Sequence, residues 1–150
     1  MNKLNTINLF VLFIVMNLIS GCSLQNNSDR NNQDVSSIKL ECIQLCLRMN
    51  EKPFEDKQFK DLDSIALFMQ AINESKKMNG ILDYGAIFLM TVYSVDGSLR
   101  TYHLNIENIE YPQKGLLLKL PNTEQGYEIP ENISKDLKDL IYKAPKAETS

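Results

Sequence analysis

The sequence predicts an α+β domain: a mainly antiparallel sheet of about four to five strands with two helices packed on it, in the order β-α-β-β-β-β-α. Three observations predict it. Asp96-Gly97 sits between two apolar-aromatic runs, the strongest short-range sign of a β-hairpin. Apolar residues recur at helical spacing in two stretches, Ile65/Phe68/Met69/Ile72 and Ile133/Leu137/Leu140/Ile141, each marking an amphipathic helix face. The remaining apolar runs are short and separated only by turn residues, which joins neighbours as hairpins rather than through crossovers.

The first strand is expected from Ile38, where Ile38, Leu40 and Cys42 alternate with Lys39 and Glu41. The apolar phase slips at Ile43, as at a bulge, and resumes with Leu45 and Leu47. Cys42 and Cys46 then share a strand. Four residues apart in a strand they stand about 13 Å apart, beyond the roughly 4.4–6.8 Å that a disulfide spans. Two free, half-buried thiols are therefore expected. On a helix the same residues would be one turn apart and could pair. RMNEKPFEDKQFKD reads as a loop whose Phe54 and Phe59 tuck into the core edge.

The long helix follows, with Asp61 or Asp63 as its cap. Lys76 and Lys77 suit its last turn and Gly80 its C′ position. The hairpin comes next. With a two-residue turn, Val95 faces Ser98, and Tyr93, Thr91 and Leu89 pair with Arg100, Tyr102 and Leu104. That face is expected against the long helix, leaving Phe88, Met90, Val92, Thr101 and His103 on the other. KGLLLKL (114–120) and GYEI (126–129) read as two more strands, and PENISKDLKDLIYK as the closing helix with Pro130 at its entry.

The segment before the domain carries an address. Lys3 and the apolar run Ile7 to Ile19 have the layout of a secretory signal, and the run is too short for a membrane span, which takes roughly 20 residues. It ends in Ile19-Ser20-Gly21-Cys22, which resembles the bacterial lipobox. The resemblance implies cleavage before Cys22 and diacylglycerol on its thiol, and two acyl chains hold a protein stably to a membrane. The expected organisation is a signal peptide over 1–21, a polar flexible tether over 22–37, one domain over 38–143 and a disordered tail over 144–150. The expected localisation is the cell membrane, lipid-anchored and facing outside the cytoplasm.

The formal net charge of −3 becomes one unit more negative when Lys3 leaves with the signal. With no basic cluster, nucleic acid is not an expected partner. The expected partners are the membrane, through Cys22, and an unidentified envelope protein, with the domain itself monomeric.

Sequence signatures of chemistry are missing: there is no G-x-S-x-G, H-E-x-x-H, P-loop, G-x-G-x-x-G or EF-hand loop. His103 is the one histidine, so any Ser-His or Cys-His arrangement would have to use it as base. A half-buried, hydrogen-bonded sheet histidine is the simpler reading. Asp61/Asp63 read as a helix cap before a carboxylate pair, and Tyr84, Tyr111 and Tyr127 as edge tyrosines with wet hydroxyls. No cofactor, metal or catalytic residue is expected. Phe88, Met90, Val92 and His103 are the candidate ligand-binding face.

FKDLDSIALFMQAINESKKMNGILD, the following Tyr, YHLNI, YEI and the closing L-x-x-L-I helix resemble a family of small, uncharacterised lipoproteins of Gram-positive bacilli, over residues 38–142. Asn105 stands where that family often has Trp. The resemblance implies no catalytic residues. The expected function is a lipid-anchored, non-enzymatic binding or interaction module. The alternatives are an immunity or inhibitor lipoprotein against a secreted protein, or an envelope enzyme using His103.

Overall fold

A computed structural model of the 150-residue chain describes residues 34–48, 56–80 and 82–142. Cys22, the lipobox, Phe54 and the 144–150 tail lie outside the described residues. The elements run β1 (Val35–Cys42), α1 (Gln44–Arg48), β2 (Asp56–Phe59), α2 (Leu62–Glu74), β3 (Lys76–Lys77), β4 (Phe88–Ser94), β5 (Leu99–Asn105), β6 (Gly115–Lys119), β7 (Gly126–Ile129) and α3 (Glu131–Tyr142). One antiparallel sheet takes all seven strands in the order β2-β1-β4-β5-β6-β7-β3. The α+β class and the antiparallel sheet agree with expectation. The strand number exceeds the four to five expected, because β2 and β3 are edge strands of four and two residues with no apolar alternation.

Both long helices lie on one face. Ile65, Phe68 and Met69 of α2, with Ile133, Leu137 and Ile141 of α3, join Ile38, Leu40, Phe88, Met90, Val92, Leu104, Leu117 and Ile129 of the sheet in one buried core. Asp61 caps α2, its Oδ1 accepting from Ser64 N at 2.8 Å. That bond holds the Asp61 carboxyl below its usual pKa. α2 stops at Glu74, earlier than the expected Gly80 exit. Ser75 turns extended and its Oγ donates to the Ile72 carbonyl. Lys76 and Lys77 are thereby released to pair with Glu128 and Tyr127 at the sheet edge. At the far end of α3, Lys57 Nζ donates to the Ile141 carbonyl at 2.6 Å, placing a cation where the helix dipole is negative.

β1 begins at Val35, inside the expected tether. Val35 is buried and pairs with Ser94, and a bulge at Ser36 shifts the register before Ser37. The bulge puts Val35 and Ile38 on one face although they are three apart, which hides the strand's first turn from an alternation reading. At Ile43 the chain leaves the strand and enters α1. Cys42 and Cys46 therefore straddle a strand end and a helical turn. Their Cα atoms are 5.4 Å apart and they form a disulfide, correcting the expectation of two free thiols.

The hairpin register also differs from expectation, by one residue. Ser94 N donates to Ser98 O at 2.9 Å, so the loop is Val95-Asp96-Gly97, three residues. Gly97 N donates back to Ser94 O, and Gly97 sits at φ +84°. This is the three-residue loop ending in a left-handed glycine. Asp96 Oδ1 accepts from Ser98 N and completes it. The extra loop residue pairs Phe88 with Leu104, Met90 with Tyr102 and Val92 with Arg100. A slip of one residue exchanges the faces, and the Phe88/Met90/Val92 face is the one the helices cover.

Candidate functional site

The second face of the sheet is built differently. After β3, at the β7 edge, the chain has to return to β4, which lies between β1 and β5. Residues 78–80 and 82–87 make that return as a strap over the outer face. At its start Met78 N donates to Gly126 O, and Gln125 Nε2 donates to the Met78 carbonyl. Leu82 then lies on Gly126 so closely that a Cβ there would come 2.0 Å from Leu82 Cδ1; a side chain at 126 would occupy the space of Leu82. At the strap's end Asn105 holds it with both ends of its amide: Oδ1 accepts from Ile87 N at 2.8 Å and Nδ2 donates to Gly85 O at 2.7 Å.

His103 lies under this strap. Its sheet neighbours are Leu89 and Leu118, and its Nδ1 is 2.9 Å from Tyr84 Oη, the two rings tilted against each other. Burial lowers the His103 pKa and raises that of Tyr84, so both are neutral at pH 7. The contact is a single neutral hydrogen bond on a half-buried sheet face, in the pattern expected of a structural histidine.

The other three candidate ligand-binding residues are not with it. Phe88, Met90 and Val92 are 0–1% exposed, in the core beneath α2 and α3. They offer no surface, which corrects the reading of that face as a contact site, and its cause is the hairpin slip. On the outer face the chain instead presents Lys39, ion-paired with Glu41 at 2.9 Å and Asp56 at 3.1 Å, opposite Thr91 of β4. Among the described residues no three of His, Cys, Asp and Glu gather as a metal could use them, and no helix is long and apolar enough to cross a membrane.

A small hollow of about 80 Å³, open to solvent, lies between the β5–β6 connection and α3. Its apolar wall is Ile106, Tyr111 and Pro112, and its charged lining is Glu107, Glu110, Lys114, Lys135 and Lys138. Two bonds tie the connection to the helix. Tyr142 Oη donates to Ile106 O at 2.7 Å, and Lys138 Nζ donates to Ile109 O at 2.8 Å. Burial, with the nearby Glu107 charge, pushes the Tyr142 pKa up to about 12. Ser134 and Gly115 meet in this lining: a Cβ on Gly115 would come 2.8 Å from Ser134 Oγ. Ser134 is 4% exposed and its buried Oγ has no hydrogen-bond partner. Sequence reading passes over the place. Tyr111 reads there as an edge tyrosine, and Ser134 sits in an amphipathic helix at a position an apolar residue would fill. A serine on a helix's buried stripe is the one signal that could have marked it.

Seven antiparallel strands, two helices on one face and a strap across the other define an α+β two-layer domain. The family described as YhfM protein matches residues 39–147, and the chain belongs to that family. The match begins inside β1 and runs past the end of α3, taking in all three helices and all but the first residues of the sheet. No curated protein and no solved structure matches the chain.

Proposed function

We propose that the chain is a lipid-anchored lipoprotein of the cell envelope whose folded domain is a non-enzymatic binding module held outside the cytoplasm. The observation that carries this reading is the Cys42–Cys46 disulfide. Disulfides form and persist in oxidising compartments and are rare in the cytosol of most organisms. Together with the apolar leader and Ile19-Ser20-Gly21-Cys22, the bridge supports export followed by lipidation at Cys22. The eleven residues from 23 to 33 would let the domain stand at most about 40 Å from the lipid. The non-enzymatic part rests on His103, whose Nδ1 is engaged by Tyr84 and whose sheet neighbours are Leu89 and Leu118.

Intact mass of the protein extracted from membranes, wild type beside Cys22→Ala, tests the reading. The expected species starts at Cys22, carries diacylglycerol and has Cys42 and Cys46 oxidised; Cys22→Ala loses the lipid. An unlipidated wild-type chain, or a lipidated one with both thiols reduced in the native envelope, overturns it.

A further inference from the structure

The strap is gripped at its end from a second side. α1 is a helix of five residues, far below the roughly 12–15 at which a helix stands alone in water, so its place is set by what it touches. Ile43 N donates to Ile87 O at 2.9 Å and Leu45 N to Ala86 O at 3.0 Å. The Leu45 side chain closes over Gly85, where a Cβ would come 2.7 Å from Leu45 Cγ. Gly85 is also the residue whose carbonyl Asn105 holds, and it follows Tyr84, which bonds His103. The Cys42–Cys46 bridge is the covalent link that fixes this short helix to the end of β1. Cys46 is fully buried and Cys42 is 8% exposed, so a thiolate reaches the bridge only when α1 lifts, and α1 lifts only by leaving the strap. Bridge, helix and strap form one run of contacts from Cys46 to His103.

We propose that the Cys42–Cys46 bridge is a redox latch on the strap. With the bridge intact, α1 is seated on Gly85 and Tyr84 is shut on His103. A dithiol reductant attacks one sulfur, forms a mixed disulfide and leaves as its own disulfide, having given two electrons and two protons to Cys42 and Cys46, which become thiols. α1 then has no covalent hold. It unwinds, and the strap lifts from Gly85 back through Tyr84, baring His103 on the outer face. The coupling is reciprocal: by whatever factor reduction loosens the strap, loosening the strap favours reduction. The latch does not depend on the lipid anchor, so its test is separate from the mass measurement.

The test uses the full chain in detergent with Cys22→Ala, which leaves Cys42 and Cys46 as its only cysteines, and dithiothreitol as the reductant. Proton NMR follows the Tyr84 and His103 rings, whose centroids are 5.9 Å apart with the strap shut. Their nuclear Overhauser contact is expected in the oxidised chain and lost in the reduced one. The contact between Phe59 and Phe68 in the core is expected in both. The reduction equilibrium is then measured at fixed ratios of reduced to oxidised dithiothreitol. Tyr84→Phe is expected to favour reduction about three-fold, and Asn105→Ala about ten-fold, because each costs the closed chain a contact that the reduced chain has already given up. Tyr84→Phe keeps the ring and so keeps the fold, which leaves this readout available if Asn105→Ala does not fold. A Tyr84–His103 contact that persists in the reduced chain overturns the proposal. So does loss of both ring contacts together, which would mean that the bridge holds the whole domain, and so does a Tyr84→Phe chain that is reduced no more readily than wild type.

Discussion

The two faces of the sheet are covered by opposite means. On one, α2 and α3 bring down an apolar stripe each, and Phe68, Phe88, Met90, Leu104 and Ile133 are sealed between them and the strands. On the other, no element supplies such a stripe. The strap is held by discrete contacts: the Asn105 amide, the Met78 backbone bond to Gly126, the Gln125 side-chain amide on the Met78 carbonyl, Leu82 lying on Gly126, and Tyr84 on His103. The first kind of cover is non-directional and proportional to buried area. The second depends on a few positions, each of which can be removed singly. A domain built this way keeps its core on the helix side and the readily altered contacts on the strap side, where local opening needs little apolar surface to be exposed.

The contrast is broken first where burial is greatest. Phe88→Ala should cost about 3–5 kcal/mol, from lost transfer energy and the cavity left between β4 and the helices. Thr101→Val, one strand over on the outer face, should change stability by about 0.5 kcal/mol or less. Urea denaturation of the two variants beside wild type measures the difference. Equal losses would mean that the outer face is covered as completely as the inner one.

The strap comes next. Asn105→Ala removes both amide bonds and leaves Ile87 N and Gly85 O short of a partner, for an expected loss of about 2–3 kcal/mol. Hydrogen exchange should then speed up across 82–87 while the α2 and α3 amides keep their protection. Gly126→Val, which pushes Leu82 off its seat, should open the same segment, and the double variant should cost less than the sum of the two, since both act through one element. Additive losses would show that Asn105 and Leu82 hold the strap independently.

The disulfide ties α1 back to β1. Closing so short a loop constrains the unfolded chain little, and its loss through Cys42→Ser with Cys46→Ser should cost about 2 kcal/mol. Comparing urea midpoints of the double variant and wild type, each with and without reductant, checks this. A reductant effect in wild type alone is the expected result.

The cysteines also show where a sequence is readable and where it is not. The helix faces at Ile65/Phe68/Met69 and Ile133/Leu137/Ile141, the Asp61 cap and the strands at 115–119 and 126–129 follow from local periodicity and capping chemistry, so they are legible. Three of the misses turn on one residue of register. Ser36 bulges and moves Val35 into the sheet. Ile43 is where β1 gives way to α1, which brings the two cysteines within bonding distance. Gly97 takes the third place in a loop that Asp-Gly suggests has two residues, and the exchange of faces carries Phe88, Met90 and Val92 from the candidate site into the core. Ser134 and Gly115 are nineteen residues apart in sequence and meet only when α3 lies against β6. Nothing local encodes that meeting. Asn105 becomes intelligible only once the strap it holds is known.

The smallest effect expected is also the one that separates burial from hydrogen bonding on the strap side. Burial lowers the folded-state pKa of His103 below its ordinary 6.5. Between those two values the unfolded chain takes up a proton that the folded chain refuses. Stability therefore falls as pH drops through about 6.5, and this contribution levels off once the pH is below the folded value. The carboxylates titrate in a neighbouring range, so the His103 share is read as a difference: urea midpoints between pH 7.5 and 5, wild type minus His103→Leu, should show a decline present only in wild type. Tyr84→Phe sharpens the result. It removes the phenol oxygen 2.9 Å from Nδ1 but keeps the ring that covers the imidazole. If burial sets the pKa, the decline survives in Tyr84→Phe. If it disappears there, the hydrogen bond holds His103 neutral, and the outer face is governed by its individual polar contacts even at its histidine.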